Sequence, residues 1–329
     1  MRNTLQDKVN EYANIYEQLY KSLKWKVSDT RTLMLVASMY VVNQKPFDLQ
    51  RFEEISNGIK KDVGMFSTLN SPHRFTYAAM LDIRFENPMD NFIELLKIYD
   101  QLIDSKFSRE TFTYLCAYLF LADDTIGDLQ ARIKRSMTFY KGMKSNHFFL
   151  TSSSDYPLAV LLAKEEGSVD ELLEKMEYFY ENLAQNGFSK GNDLQFLSHI
   201  LSLHSSDKTI VTERCTILLD EFKRRGDIKL RKMHYPVLGL LSFLENGVQE
   251  LDRIKEINTL LNQNKRFKWN KDINLILAIN FLMSEKIDNS SLIGTNMYTI
   301  IESIIQAQQA VMVATVTSTA VASSSSGGE

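Results

Sequence analysis

The chain has 329 residues, 44% of them hydrophobic, and a net charge of −3. That is enough apolar material for a large core, while 13 Gly and 5 Pro are too few for a disordered or fibrous chain. A near-neutral balance excludes a strongly electrostatic nucleic-acid binder, and two cysteines, Cys116 and Cys215, are too few for a disulfide framework or a thiolate metal site. Residues 1–8 lack the apolar core of a secretion signal, so a cytoplasmic location is expected.

From Leu5 to Leu23, the residues Val9, Tyr12, Ile15, Tyr16, Leu19 and Tyr20 recur at the spacing of one helix face, which suits a cap at the start of an array. Ser28 or Asp29 can accept from free helix N–H groups, and the stretch Leu33–Val42 that follows is apolar nearly all round. Such a helix must be covered on several sides. Pro46 stops it, and Phe47–Ile59 returns to a one-faced pattern. The same alternation then runs down the chain. Buried helices are expected to start near Phe75, Phe112, Tyr156, Phe196, Tyr235 and Leu275, and outer, amphipathic ones near Asn91, Asp128, Asp170, Thr209 and Gln249. Tyr156-Pro157 and Tyr235-Pro236 lie about eighty residues apart with a third copy at Phe196 between them, a period of about forty that belongs to helical-hairpin repeats. Both prolines fall in a first helical turn, where a missing N–H has no partner to lose. Each outer helix is expected to end at an apolar marker: Phe107, Phe148, Phe188, Ile228 or Phe267.

The fold class read from this pattern is all-α: an array of about six helical hairpins in the α-solenoid manner, with terminal capping helices. A closed α/α toroid is the competing arrangement. Residues 1–290 are expected to form one helical-repeat domain, and residues 291–329 a last helix over Met297–Val313 followed by a disordered Ser/Gly tail. Gln306, Gln308 and Gln309 make that last stretch a poor membrane span.

Asp123, Asp124 and Asp128 resemble the aspartate-rich motif with which all-helical prenyl-transferring and terpene-forming enzymes hold Mg²⁺ against a diphosphate. The partner motif is missing, because Asn192-Asp193 is followed by Phe196 and Ile200 where a hydroxyl and a carboxylate are required. Carboxylates at a helix start also answer the helix dipole. No metal, cofactor or catalytic residue is therefore assigned. His73, His147, His199, His204 and His234 show no two-His, one-Glu helix spacing. Ser152, Ser153 and Ser154 lack a glycine-framed elbow and read as a helix cap.

Two features go beyond packing. The polar-aromatic junctions 147–156 and 188–199 occupy equivalent positions of adjacent repeats, so stacking would set them side by side. Ser152, Ser154, Asp155, Tyr156, Asn192, Asp193, Gln195 and His199 are the candidate binding residues there. The second feature is charge: carboxylates gather at the starts of outer helices and cations at their ends. Between Lys223 and Lys271 the cations exceed what a macrodipole effect of about 0.3–1 kcal/mol per terminus accounts for. Arg224, Arg225, Arg266, Lys268 and Trp269 are the candidate contacts there for an acidic peptide or a single nucleic-acid strand.

Ser22–Lys26, Arg74–Asp82, His147–Ala163 and Gly191–Leu201, with the Gln/Ala/Ser tail, resemble the bacterial domain-of-unknown-function family 4003 over nearly the whole chain. The resemblance implies a soluble bacterial protein of unassigned role and brings no functional residue. The residues themselves point to a scaffold that binds a protein or peptide, with an acidic one favoured over nucleic acid or a membrane. The alternative is a helical enzyme, hydrolytic or diphosphate-using, with its site at the two junctions. Oligomeric state is not legible.

Overall fold

The apolar stripes become helices throughout a computed structural model that describes residues 5–289, apart from 65–66, 125–126 and 205, together with Ile304, Val311 and Met312. Every long element among the described residues is an α-helix. In chain order they are α1 (Leu5–Leu23), α2 (Arg31–Val42), α3 (Leu49–Asp62), α4 (Arg74–Arg84), α5 (Pro88–Asp104), α6 (Thr111–Leu121) and α7 (Leu129–Asn146). There follow α8 (Tyr156–Leu162), α9 (Val169–Gln185), α10 (Asn192–Ser202), α11 (Lys208–Arg225), α12 (Tyr235–Ser242), α13 (Leu251–Gln263) and α14 (Lys271–Asn289). Expected features beyond residue 290, the last helix and the tail, lie outside the described residues, save that Ile304 is buried.

Odd- and even-numbered helices differ in how they meet solvent. In α9, Leu172, Met176, Phe179, Tyr180 and Leu183 are buried while Glu171, Glu174 and Glu181 are exposed, as one covered face requires. Every residue of α8 and of α12 is buried, and so is α2 from Thr32 to Val42. Capping sets the starts. Asp48, Asp128 and Asp207 each accept two backbone N–H bonds at the heads of α3, α7 and α11, and Ser168 with Glu171 forms a capping box on α9. Asp128 thus serves its helix, and Asp124 is bound to Arg84 at 2.6 Å.

The chain divides into two compact units, the first holding the chain up to Gly127 and the second spanning Asp128–Ile304. In the first, α1 packs on α2, α3 on α4 and α5 on α6, while α2 also meets α4 and α3 meets α5. Asp82 organises its polar interior, taking the Tyr40 hydroxyl at 2.9 Å and the Arg51 guanidinium at 2.5 Å. In the second, α7 packs on α8, α9 on α10, α11 on α12 and α13 on α14, and the buried helices touch in the order α8, α10, α12, α14. Cys116 and Cys215, one in each unit, are free, buried thiols.

Three expectations need correction. Helices α10 and α14 start at Asn192 and Lys271, ahead of Phe196 and Leu275, because a polar first turn (Asn192-Asp193, Lys271-Asp272) carries no apolar periodicity and yet suits a helix N-terminus. Phe148 is not a buried end marker but 64% exposed. Its place is taken by His147, which ends α7 and lays its ring on Tyr180 with centroids 4.4 Å apart. Ile228 is likewise only half-buried.

Gly247 follows α12 where the chain passes close to that helix. A Cβ there would stand 2.6 Å from the Leu241 carbonyl oxygen, a backbone atom that cannot swing aside. Gly247→Ala should therefore cost about 1–3 kcal/mol of stability, read as a lower urea midpoint with an unchanged slope.

Candidate functional site

The junctions 147–156 and 188–199 meet through a buried polar ladder. A single 3₁₀ turn, Ser153–Asp155, launches α8: the Ser152 N–H donates to the Asp155 carboxylate at 2.9 Å, and the Ser154 N–H donates to the Ser152 hydroxyl at 3.3 Å. This turn holds Thr151 and Asp155 against α10, on which Gln195 and His199 stand one turn apart on the same face. The Gln195 amide donates to the Thr151 hydroxyl at 2.8 Å, and Thr151 donates to the Met143 carbonyl at 3.1 Å. In the second rung, Asp155 Oδ1 lies 3.7 Å from His199 Nδ1. All four side chains are buried.

The turn before α12 launches its helix in the same way, with a histidine in place of the aspartate. There the Arg231 N–H donates to His234 Nδ1 at 2.9 Å, and His234 Nε2 lies 3.3 Å from the Asp272 carbonyl oxygen and 3.7 Å from its carboxylate. Tyr-Pro follows both Asp155 and His234. His234 therefore stands where Asp155 does, whereas Asp272, in the first turn of α14, corresponds to Asp193 and not to His199, which lies two turns into α10.

Burial sets the charge states. It pushes the Asp155 carboxyl up from 3.8 to about 6, against the opposing Ser152 N–H. It holds His199 down at about 3, helped by His147, so the imidazole is neutral at physiological pH and the second rung is not an ion pair. His234 is also lowered by burial, with Asp272 opposing. Among the described residues, His199 Nδ1 and Gln195 Oε1 have no hydrogen-bond partner, at a typical cost of about 1–3 kcal/mol for each such buried group.

Of the other candidates here, Ser154 is bonded through its hydroxyl to Ser152 Oγ at 2.7 Å, so neither serine reaches the imidazole. Tyr156 is buried edge-on against Tyr140. Asn192 is exposed, and Asp193 is half-buried, its carboxyl raised by burial and drawn back by Lys232. Thr151 and the His234–Asp272 pair were not singled out in the sequence. Their signal was present in the parallel between Ser152-x-x-Asp155-Tyr-Pro and Arg231-x-x-His234-Tyr-Pro.

The turns that precede α8, α10, α12 and α14 lie along one edge of the second unit. Thr151 and Asp155 reach α10, the Ser189 N–H donates to the Tyr235 hydroxyl at 3.1 Å, and Arg231 pairs with Asp272 at 2.7 Å. The candidate cations here divide. Arg224 is held by Glu221 at 2.6 Å, and Arg225 lies between Glu221 at 2.9 Å and Asp252 at 2.6 Å. Because Arg225 ends α11 and Asp252 is in the first turn of α13, starts and ends of outer helices are not segregated there. Arg266 and Lys268 are exposed in the turn before α14, where the Lys268 ammonium sits 5.0 Å from the ring centre of Trp269. Trp269 is 82% exposed, and Phe148 and Phe149 pack edge to face on each other in the turn before α8. Among the described residues, no group of three His, Cys, Asp or Glu side chains is placed to hold a metal ion, and no helix is long and apolar enough to cross a membrane.

Residues 15–310 match the family model described as "Protein of unknown function (DUF4003)". The chain belongs to the DUF4003 family. This DUF4003 protein is 39% identical over 326 residues to "Uncharacterized protein YeaA" of Bacillus subtilis (strain 168), covering 98% of both chains. No solved structure matches it.

Replacing Asp155 by Asn keeps the cap on Ser152 and removes the buried charge. A carboxyl whose folded pKa is raised to about 6 contributes stability that is complete below 3.8 and is lost as pH rises through about 6. Relative to the unaltered protein, Asp155→Asn should therefore gain stability as pH rises from about 4 to about 7, by up to about 3 kcal/mol, in urea unfolding followed at each pH. The trend from His199 is shared by both proteins and cancels in the difference.

Proposed function

We propose that this DUF4003 protein is a non-enzymatic helical-repeat scaffold that binds a protein or peptide partner. The observation that carries this reading is the contrast between helices: α8 and α12 are buried at every residue, while α9 and α11 keep one face in solvent. What the chain offers a partner is the ridge of outer helices and the turns between them. On α11, Ile210 and Ile217, two turns apart, are 46% and 47% exposed and form an apolar anchor on that ridge. The outer–buried alternation within each unit, with each buried helix of the second unit touching the next, supports a hairpin repeat with a period of about forty. Two free, buried thiols support a reducing, cytoplasmic location.

The two unpartnered ladder atoms, His199 Nδ1 and Gln195 Oε1, favour a second reading, a helical enzyme with its site at the junctions. Affinity capture from the native bacterium with cross-linking separates the two. The scaffold reading expects one recurrent partner, cross-linked to α9 or α11, whose affinity falls at least tenfold in an Ile210→Glu, Ile217→Glu variant, the roughly 1.4 kcal/mol lost with one apolar anchor. Turnover of a phosphate or acyl ester that disappears in Asp155→Ala, with the fold intact, would instead establish the enzyme.

A further inference from the structure

We propose that the turn edge of the second unit, formed by the loops before α8, α10, α12 and α14, docks on the surface of an anionic lipid bilayer. The outer-helix ridge is left free for a protein partner. Of the large apolar side chains that the second unit exposes, Phe148 (64%), Phe149 (95%), Met233 (38%) and Trp269 (82%) all stand in these loops. Among the described residues, only Ile210 and Ile217, on α11, do not. Phe148 with Phe149 on one tip, Met233 on another and Trp269 on a third form separate projections, which a peptide has no groove to follow. A bilayer interface accepts such rings one by one, because an aromatic side chain is favoured at headgroup depth.

Charge selects the anionic bilayer. The Lys144 ammonium lies 5.5 Å from the Phe148 ring centre, and that of Lys268 lies 5.0 Å from the Trp269 ring centre. Lys229 and Lys232 precede Met233, and Lys265 precedes Trp269, all three exposed. Carboxylates on the same edge are engaged: Glu181 with Lys190 at 2.8 Å, Asp227 with Lys255 at 2.7 Å and Asp272 with Arg231 at 2.7 Å. The turns at the other ends of these helices are acidic and exposed, with Glu166, Asp207 and Glu245. A negative surface therefore attracts the exposed lysines beside the projecting side chains, which orients the approach. The near-neutral total charge that argued against nucleic acid is no obstacle, since juxtamembrane charge acts within a Debye length. The absence of a crossing helix among the described residues agrees with reversible, peripheral attachment. Rings and lysines together supply the two signals that such attachment needs.

The chain has two tryptophans, so Trp25→Phe leaves Trp269 as the sole reporter on the edge. In the full-length protein, vesicles of phosphatidylglycerol and phosphatidylcholine should shift Trp269 emission to the blue. Brominated lipid should quench it, the protein should sediment with the vesicles, and high salt or pure phosphatidylcholine should abolish all three effects. A Phe148→Ser, Phe149→Ser variant and a Lys265→Glu, Lys268→Glu variant should each bind at least about tenfold more weakly, given roughly fivefold per lysine near such a surface, with unchanged far-ultraviolet circular dichroism. Wild-type protein that stays in the supernatant overturns the proposal, as does undiminished binding by folded variants. If polyglutamate or oligothymidylate moves Trp269 emission while vesicles do not, the edge recognises that polyanion and the membrane proposal fails.

Discussion

The constraint on which this structure depends is the burial of every second helix on all its sides. A helix such as α12, with Tyr235 to Ser242 all out of water, can satisfy its backbone only within itself and at its two ends. Its neighbours must therefore be close and its ends must be capped by what is at hand. Gly239 shows the closeness, since a Cβ there would come within 2.6 Å of Leu197 on α10. The 3₁₀ turns, in which the Ser152 N–H donates to Asp155 and the Arg231 N–H donates to His234, each followed by Tyr-Pro, are the local solution to the second requirement at both α8 and α12.

The same constraint explains the ladder at the junctions. A turn that starts a fully buried helix carries its polar side chains into the interior with it, where Thr151 joins Gln195 on the next buried helix to the Met143 carbonyl on α7 and Asp155 stands beside His199. The turn before α12 carries an imidazole, His234, where the turn before α8 carries a carboxyl, Asp155, and each reaches a different turn of the helix it faces.

How much was legible follows from these physics. The alternation of all-round apolar and one-faced segments named the helices, since burial pattern and sequence period are one fact seen twice, and α1 was legible to its ends. Polar first turns hid the starts of α10 and α14, because capping chemistry leaves no periodic mark. Phe148 reads as the apolar marker at the end of α7 because sequence does not tell a ring that enters the core from one that leaves it when His147 offers an equally good lid over Tyr180. Ser152, Asp155, Gln195 and His199 fell in the two junctions singled out from the repeat, but the pairing across them depended on the i to i+4 match between a turn and a helix. Arg224 and Arg225 looked free because their carboxylate partners, Glu221 on the same helix and Asp252 beyond the next buried one, become neighbours only in the fold.

The two thiols add a consequence of a different kind. Cys116 and Cys215 are both 0% exposed, and burial raises both well above the ordinary thiol range, so neither yields the thiolate that an alkylating reagent attacks while its surroundings stay closed. Reaction at either sulfur thus waits for the helices around it to part. Because one sits before Gly127 and the other after Asp128, the protein carries a separate chemical clock in each unit, each started only by the opening of its own surroundings.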